Sequence, residues 1–150
     1  MATPVPHSKL VRWDVPFAEW NGMRIWTVAE KGFDNLMVVV APLSQNAPID
    51  NYPKYLLRFD KIITFLTYDE TFAFDRGYLS LPGWTKGVRA YQWVDSPWLN
   101  SYSGWFESGG KKLFHYIVLG DDSLTEVISV GEARVERVES KRLIKVEHEV

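Results

Sequence analysis

Apolar and polar residues alternate with a period of two along several short stretches of this chain, the spacing of strands with one buried face. From Lys9 to Val15, Val11, Trp13 and Val15 fall on one face and Leu10, Arg12 and Asp14 on the other. Asn21-Gly22 follows, and both residues tolerate the positive φ that a two-residue type I′ turn demands. Such a turn predicts a hairpin in which Trp20 opposes Met23, Glu19 opposes Arg24 and Phe17 opposes Trp26; a short helix from Pro16 to Asn21, stopped by Gly22, is the competing arrangement. Leu36-Met37-Val38-Val39-Val40 is apolar throughout and rich in β-branched residues, which predicts a central strand covered on both faces. Residues 44–53, with Ser, Gln, Asn, Pro and Asp, read as a loop. Tyr55 to Tyr68 forms one long strand, or two that meet near Asp60-Lys61.

Residues 75–87 carry Gly77, Pro82, Gly83 and Gly87 and read as a loop that holds Tyr78 and Trp84. Val88 to Val94 is a further strand. Asp95-Ser96-Pro97-Trp98 is a helix start, a capping side chain followed by proline at the first helical position, and Gly104 limits the helix to a couple of turns near residues 96–103. Residues 103–112 read as a Gly- and Ser-rich connection. Leu113 to Leu119 and Leu124 to Val130 form a hairpin around Gly120-Asp121-Asp122-Ser123. Alternation returns at Ile144, Val146, His148 and Val150, so residues 139–150 read as a charged, β-competent C-terminal extension. The pattern predicts a mainly β single domain over residues 1–150: a twisted antiparallel sheet or partly closed barrel of about seven to nine strands, with one short helix over an end.

Composition sharpens this picture in three ways. The 7 Trp, 7 Tyr and 8 Phe among 150 residues supply large rings for a core and for contact surfaces. The formal net charge is only −2, and the basic residues from Arg134 to Lys145 are interleaved with glutamates, so neither nucleic acid nor an anionic membrane is an expected partner. The absence of cysteine removes disulfides, thiolate nucleophiles and Cys-based metal sites. Met1 to Leu10 lacks the apolar core of a secretory signal, and the longest apolar run, Leu36 to Leu43, is far short of the ~20 residues of a spanning helix. A soluble cytoplasmic protein is the expectation.

The sharpest chemical candidate is a pair of catalytic residues, His115 and Glu126. A symmetric loop at 120–123 pairs Leu119 with Leu124 and Ile117 with Glu126, which sets His115 one diagonal step from Glu126 on the same face. An imidazole and a carboxylate in a partly apolar setting are the parts of general acid–base chemistry, and equally of a structural pair. Nothing suggests a metal or another cofactor: the three histidines, His7, His115 and His148, lack ligand-spaced partners. No nucleophile elbow or phosphate-binding loop is present either. The second candidate is a ligand or partner contact made by Tyr78, Trp84, Trp98, Tyr102 and Trp105, with Phe106 beside them; the same rings could instead be lids on the core.

Two classes of function follow. The leading expectation is a non-catalytic module that self-associates or binds another protein through strand edges and exposed aromatics. The alternative is a small-molecule-binding, barrel-like domain, with an enzyme using His115 and Glu126 as one form of it.

Overall fold

The computed structural model describes residues 7–29, 35–42, 54–106 and 112–138. The extension expected over 139–150, the loop at 44–53 and part of the connection at 103–112 lie outside the described residues. Nine strands are present among those described: β1 (Lys9–Arg12), β2 (Met23–Ala29), β3 (Asn35–Pro42), β4 (Lys54–Asp60), β5 (Ile62–Asp69), β6 (Ala90–Val94), β7 (Leu113–Leu119), β8 (Ser123–Val130) and β9 (Arg134–Val138). Two α-helices join them, a single turn α1 (Ala73–Arg76) and α2 (Pro97–Phe106), with 3-10 turns at Glu70–Phe72 and Tyr78–Ser80 flanking α1.

The strands form two antiparallel sheets, one of five in the order β1-β6-β7-β8-β5 and one of four in the order β2-β3-β4-β9. The expected mainly β architecture is observed, as two sheets rather than a closed barrel. They share a core because inward positions alternate on both. Leu36, Val38, Val40, Leu57 and Phe59 from the four-stranded sheet pack in one cluster with Ala90, Tyr116, Val118 and Val127 from the five-stranded sheet. Rings occupy its centre: Tyr116 lies 4.7 Å from Trp13 and 5.4 Å from Phe59, centroid to centroid. Strand β3 is covered on both faces, since Met37 and Val39 form a second buried patch with Leu56 under Trp26.

The long apolar segment from Tyr55 to Tyr68 is two strands, and they belong to different sheets. The break is at Lys61, whose φ of 54° turns the chain from β4 into β5. Such a left-handed residue redirects the backbone within one position.

The hairpin expected at Asn21-Gly22 does not form. Strand β2 pairs instead with β3, Trp26 opposite Val39, and residues 16–19 make tight turns. The physical reason lies in β6 and the turn before it. The Arg89 guanidinium donates to the carbonyls of Trp20 at 2.9 Å and Asn21 at 2.6 Å, and the Arg89 N–H donates to the Ala18 carbonyl at 2.7 Å. Phe17 and Ala18 meanwhile sink into the shared core. Tertiary partners thus claim the groups that a local hairpin would have used.

Residues 70–84 cover the outer face of the five-stranded sheet. Ala73 and Tyr78 pack there, beside Val88, on Leu10, Tyr91, Trp93, Ile117, Leu119 and Leu124. The segment predicted as a plain loop is therefore pinned down. The Asp69 carboxylate accepts from the Thr71 N–H at 2.9 Å, and Gly77, at φ 83°, ends α1 in the left-handed conformation. The Leu10 N–H donates to the Pro82 carbonyl at 2.8 Å. Helix α2 begins as expected, with Ser96 Oγ accepting from the Leu99 N–H at 3.0 Å. It runs past Gly104 to Phe106, because one glycine weakens a helix by only about 1 kcal/mol and does not break it.

Candidate functional site

Strands β7 and β8 pair in the register that the four-residue loop implies, Leu119 opposite Leu124 and Ile117 opposite Glu126. Alternation points Tyr116, Val118 and Val127 into the shared core. His115, Ile117, Glu126 and Ile128 therefore point to the opposite face, beneath α1 and α2. There His115 Nε2 lies 2.7 Å from Glu126 Oε1.

Three further elements converge on this pair. From α1, Arg76 donates through Nε to Glu126 Oε2 at 2.7 Å and through Nη2 to Oε1 at 3.0 Å. From β5, the Tyr68 hydroxyl donates to Oε2 at 2.6 Å, and its oxygen lies 3.0 Å from the Tyr78 hydroxyl. From the start of α2, Ser96 Oγ lies 2.6 Å from His115 Nδ1. The carboxylate thus accepts four hydrogen bonds, which fill its lone-pair capacity. The ionised Glu126 can only accept, so the hydrogen between it and His115 belongs to Nε2, and the other ring nitrogen, Nδ1, accepts the Ser96 proton. His115 is then the neutral tautomer that carries its hydrogen on Nε2 and gives it to Glu126, an assignment fixed by the network.

The electrostatics agree with that assignment. Burial opposes charge on Glu126, but hydrogen bonds from His115, Arg76 and Tyr68 outweigh it and hold the carboxyl down at about 2. Burial lowers the His115 pKa, against the pull of Glu126, so the ring stays neutral. Burial first, and then the neighbouring Glu126, raises Tyr68 far above its ordinary value. Desolvation also lifts Tyr78, to about 12. Hydrogen bonding to Glu126 raises Arg76 further. The resident charges are one carboxylate and one guanidinium.

Aromatic rings wall the network. Trp93 stacks on His115 at 5.1 Å and Trp98 meets it edge-on at 5.5 Å. The Arg76 guanidinium lies 5.2 Å from the centre of the Trp98 ring, a cation–π contact at the solvent end. His115 is 1% exposed, and Ser96 and Glu126 are 0% exposed. A serine, a histidine and a carboxylate in a row are the parts of nucleophilic catalysis, but this serine caps a helix and no atom of the trio faces solvent. In this geometry the group ties α1, α2, β5 and the β7–β8 hairpin together.

Of the expected aromatic contacts, Tyr78 and Trp84 are brought together, their ring centroids 6.1 Å apart, while Trp98 and Tyr102 stand on α2. Tyr78 is fully buried, with its ring 5.7 Å from Trp93. Trp84 is half-buried against Tyr91 at 5.5 Å. Trp98 and Tyr102 are half-buried on α2. Trp105 also lies in α2, but its side chain is outside the described residues. Sequence reasoning missed the two most exposed rings among the described residues, Phe72 at 56% and Phe74 at 79%. Their signal was available: in Glu70-Thr71-Phe72-Ala73-Phe74-Asp75, two phenylalanines flank one small residue between acidic neighbours. Only Ala73 of that stretch is buried. The sequence reading also missed Arg76, Tyr68 and Ser96 as partners of the buried pair.

Among the described residues no group of three metal-ligating side chains occurs, and no helix is long and apolar enough to cross a membrane. An open groove of about 310 Å³ is lined by His7, Ser8, Lys9, Pro82, Val94 and Asp95, none of them a member of the buried network. No family model, curated protein or solved structure matches this chain, so the functional reading rests on the geometry above.

Proposed function

We propose that the protein is a non-catalytic interaction module of the cytoplasm that self-associates or binds another protein through exposed aromatics and strand edges. The observation that carries this reading is the exposure of Phe72 and Phe74 on a segment that is otherwise firmly anchored. Large rings displayed on an anchored segment are suited to the centre of a protein interface, because the backbone beneath them has little freedom left to lose on binding. Their anchor is the buried network: Arg76 and Tyr78 tie the segment to Glu126 and Tyr68 on the sheet. The same network has a structural task in this reading, and its burial supports a role without chemistry. The lack of cysteine is compatible with a reducing compartment.

The test is a Phe72→Ser/Phe74→Ser double variant compared with the wild type. The denaturation midpoint is expected to stay unchanged, because both rings are exposed. Association, measured by sedimentation velocity across a concentration series and by retention of a co-purifying protein, is expected to fall. A wild type that shows neither association nor a retained partner would count against the reading, as would a double variant that keeps both.

A second reading, a small-molecule site using His115 and Glu126, draws on one observation, the Ser96–His115–Glu126 chain. It requires α2 to move away from the hairpin. A melting screen against ligand classes tests it, since a ligand bound to the folded state raises the midpoint.

A further inference from the structure

Four strands border the two sheets, and they are not equally protected. Strand β1 has four residues and carries Lys9 and Arg12, β9 reads Arg-Val-Glu-Arg-Val, and β2 carries Arg24. Strand β5 is eight residues long, reads Ile-Ile-Thr-Phe-Leu-Thr-Tyr-Asp, and has no charge before its last position. Natural sheets blunt their borders with lysine, proline, bulges or very short strands, and a long neutral border invites another strand; β5 has one irregularity, between Ile62 and Thr64, and pairs regularly from Thr64 to Asp69. Among the described residues, β5 pairs with β8 alone.

The backbone orientation of β5 follows from its neighbours. The Glu70 N–H donates to the Asp122 carbonyl at 3.4 Å, and Tyr68, Leu66 and Thr64 then face Leu124, Glu126 and Ile128 across the ladder. Amide groups alternate sides along an antiparallel strand. Those of Phe65 and Thr67 consequently turn toward the outer border. Phe65, near the middle of the strand, is also 37% exposed.

We infer that the occupant of this border is β5 of a second copy of the chain, paired antiparallel about a two-fold axis near Phe65. This rests on the interaction reading above and names its partner. The strand is complementary to itself in that direction. Lys61 precedes it and Asp69 ends it, both exposed, so a reversed copy sets lysine near aspartate at both ends. The Phe65 rings meet at the axis and shield each other from water. The five-stranded sheet of each copy continues into that of the other, giving a ten-stranded sheet with the hydrogen-bonding groups of Phe65 and Thr67 filled.

Sedimentation velocity and light scattering on the full chain over a concentration series test this. The wild type is expected to pass from monomer to dimer as concentration rises. Phe65→Lys, which installs a border lysine, is expected to stay monomeric with its thermal midpoint little changed. Lys61→Glu places like charges against Asp69 at both ends; it is expected to weaken the dimer, and low salt to deepen the effect. It keeps the test alive should Phe65→Lys fail to fold. Because the chain has no cysteine, Phe65→Cys labelled with a pyrene maleimide places one fluorophore per copy at the axis, and excimer emission is expected to rise with dimer formation. A wild type that stays monomeric throughout, or a dimer untouched by Phe65→Lys and Lys61→Glu, would overturn the pairing. Association that survives both variants but falls with Phe72→Ser/Phe74→Ser would overturn the β5 pairing while leaving the interaction module standing.

Discussion

Arg76 grips the Glu126 carboxylate with two N–H groups along one edge of its guanidinium, Nε to Oε2 at 2.7 Å and Nη2 to Oε1 at 3.0 Å. Fifty residues separate the two in sequence. The arginine keeps a solvent-facing side, 28% exposed, while the carboxylate is sealed. Removing the arginine therefore leaves a buried anion with half of its partners gone. Arg76→Met is expected to lower the unfolding free energy by about 3 kcal/mol, as for other broken buried pairs. Arg76→Lys is expected to recover only part of it, since an ammonium cannot reproduce the planar two-point contact. Urea denaturation followed by tryptophan fluorescence measures both.

Acid is expected to destabilise the fold in two stages. The folded-state pKa of His115 is depressed, so its contribution is complete above the ordinary 6.5 and declines as pH falls, because the unfolded chain takes up a proton that the buried ring refuses. Glu126 has the same sign. Its stabilisation is complete above 4.5 and is lost as pH falls toward about 2, a contribution of about 3 kcal/mol. Unfolding free energy measured from pH 8 to pH 3 should fall throughout the acid limb. His115→Asn should flatten the portion just below pH 6.5; a profile that rises on acidification would contradict the assignment.

Ser96 serves a helix and a histidine at once, capping the Leu99 N–H and donating to His115 Nδ1. Ser96→Ala is expected to cost about 2 kcal/mol, combining a lost cap with an unpaired ring nitrogen. Long-range nitrogen–proton correlation spectra of the wild type should show hydrogen on His115 Nε2 near neutral pH. The variant should shift the Nδ1 resonance most.

Glycines with the same backbone sign should respond very differently to alanine. A Cβ on Gly83 would stand 1.8 Å from the Leu10 carbonyl oxygen, a backbone clash that forces the 82–84 turn off β1. At Gly77 and Gly131 a Cβ meets nothing within 4 Å. Alanine there is expected to cost only the left-handed conformation, about 1 kcal/mol. Gly83→Ala is expected to cost at least twice as much, read from denaturation midpoints of the three variants.

Period-two alternation and loop length made the β7–β8 hairpin legible, and with it the closeness of His115 to Glu126. Ser96-Pro97 likewise marked the start of α2. These features are local, decided within about a dozen residues. Arg76 and Tyr68 were invisible as partners of Glu126, because their meeting depends on how residues 70–84 fold back over the sheet. Asn21-Gly22 misled for the related reason that Arg89, remote in sequence, claims the carbonyls of Trp20 and Asn21. Tyr78 looked like a contact residue because it stands in a Gly- and Pro-bearing stretch. Its burial comes from the hydroxyl partner that Tyr68 provides and from the ring of Trp93.

Lys61 is the single residue over which the chain leaves one sheet and enters the other, and the consequence concerns how the molecule comes apart. The two layers joined there also share one core, Leu57 and Phe59 against Tyr116 and Val127, so neither can melt while its neighbour stays whole: heat or denaturant should dissolve both in one cooperative transition, with calorimetric and van't Hoff enthalpies in agreement. A few added glycines at this crossing should lower the midpoint slightly, through the cost of closing a longer loop, and leave the transition single.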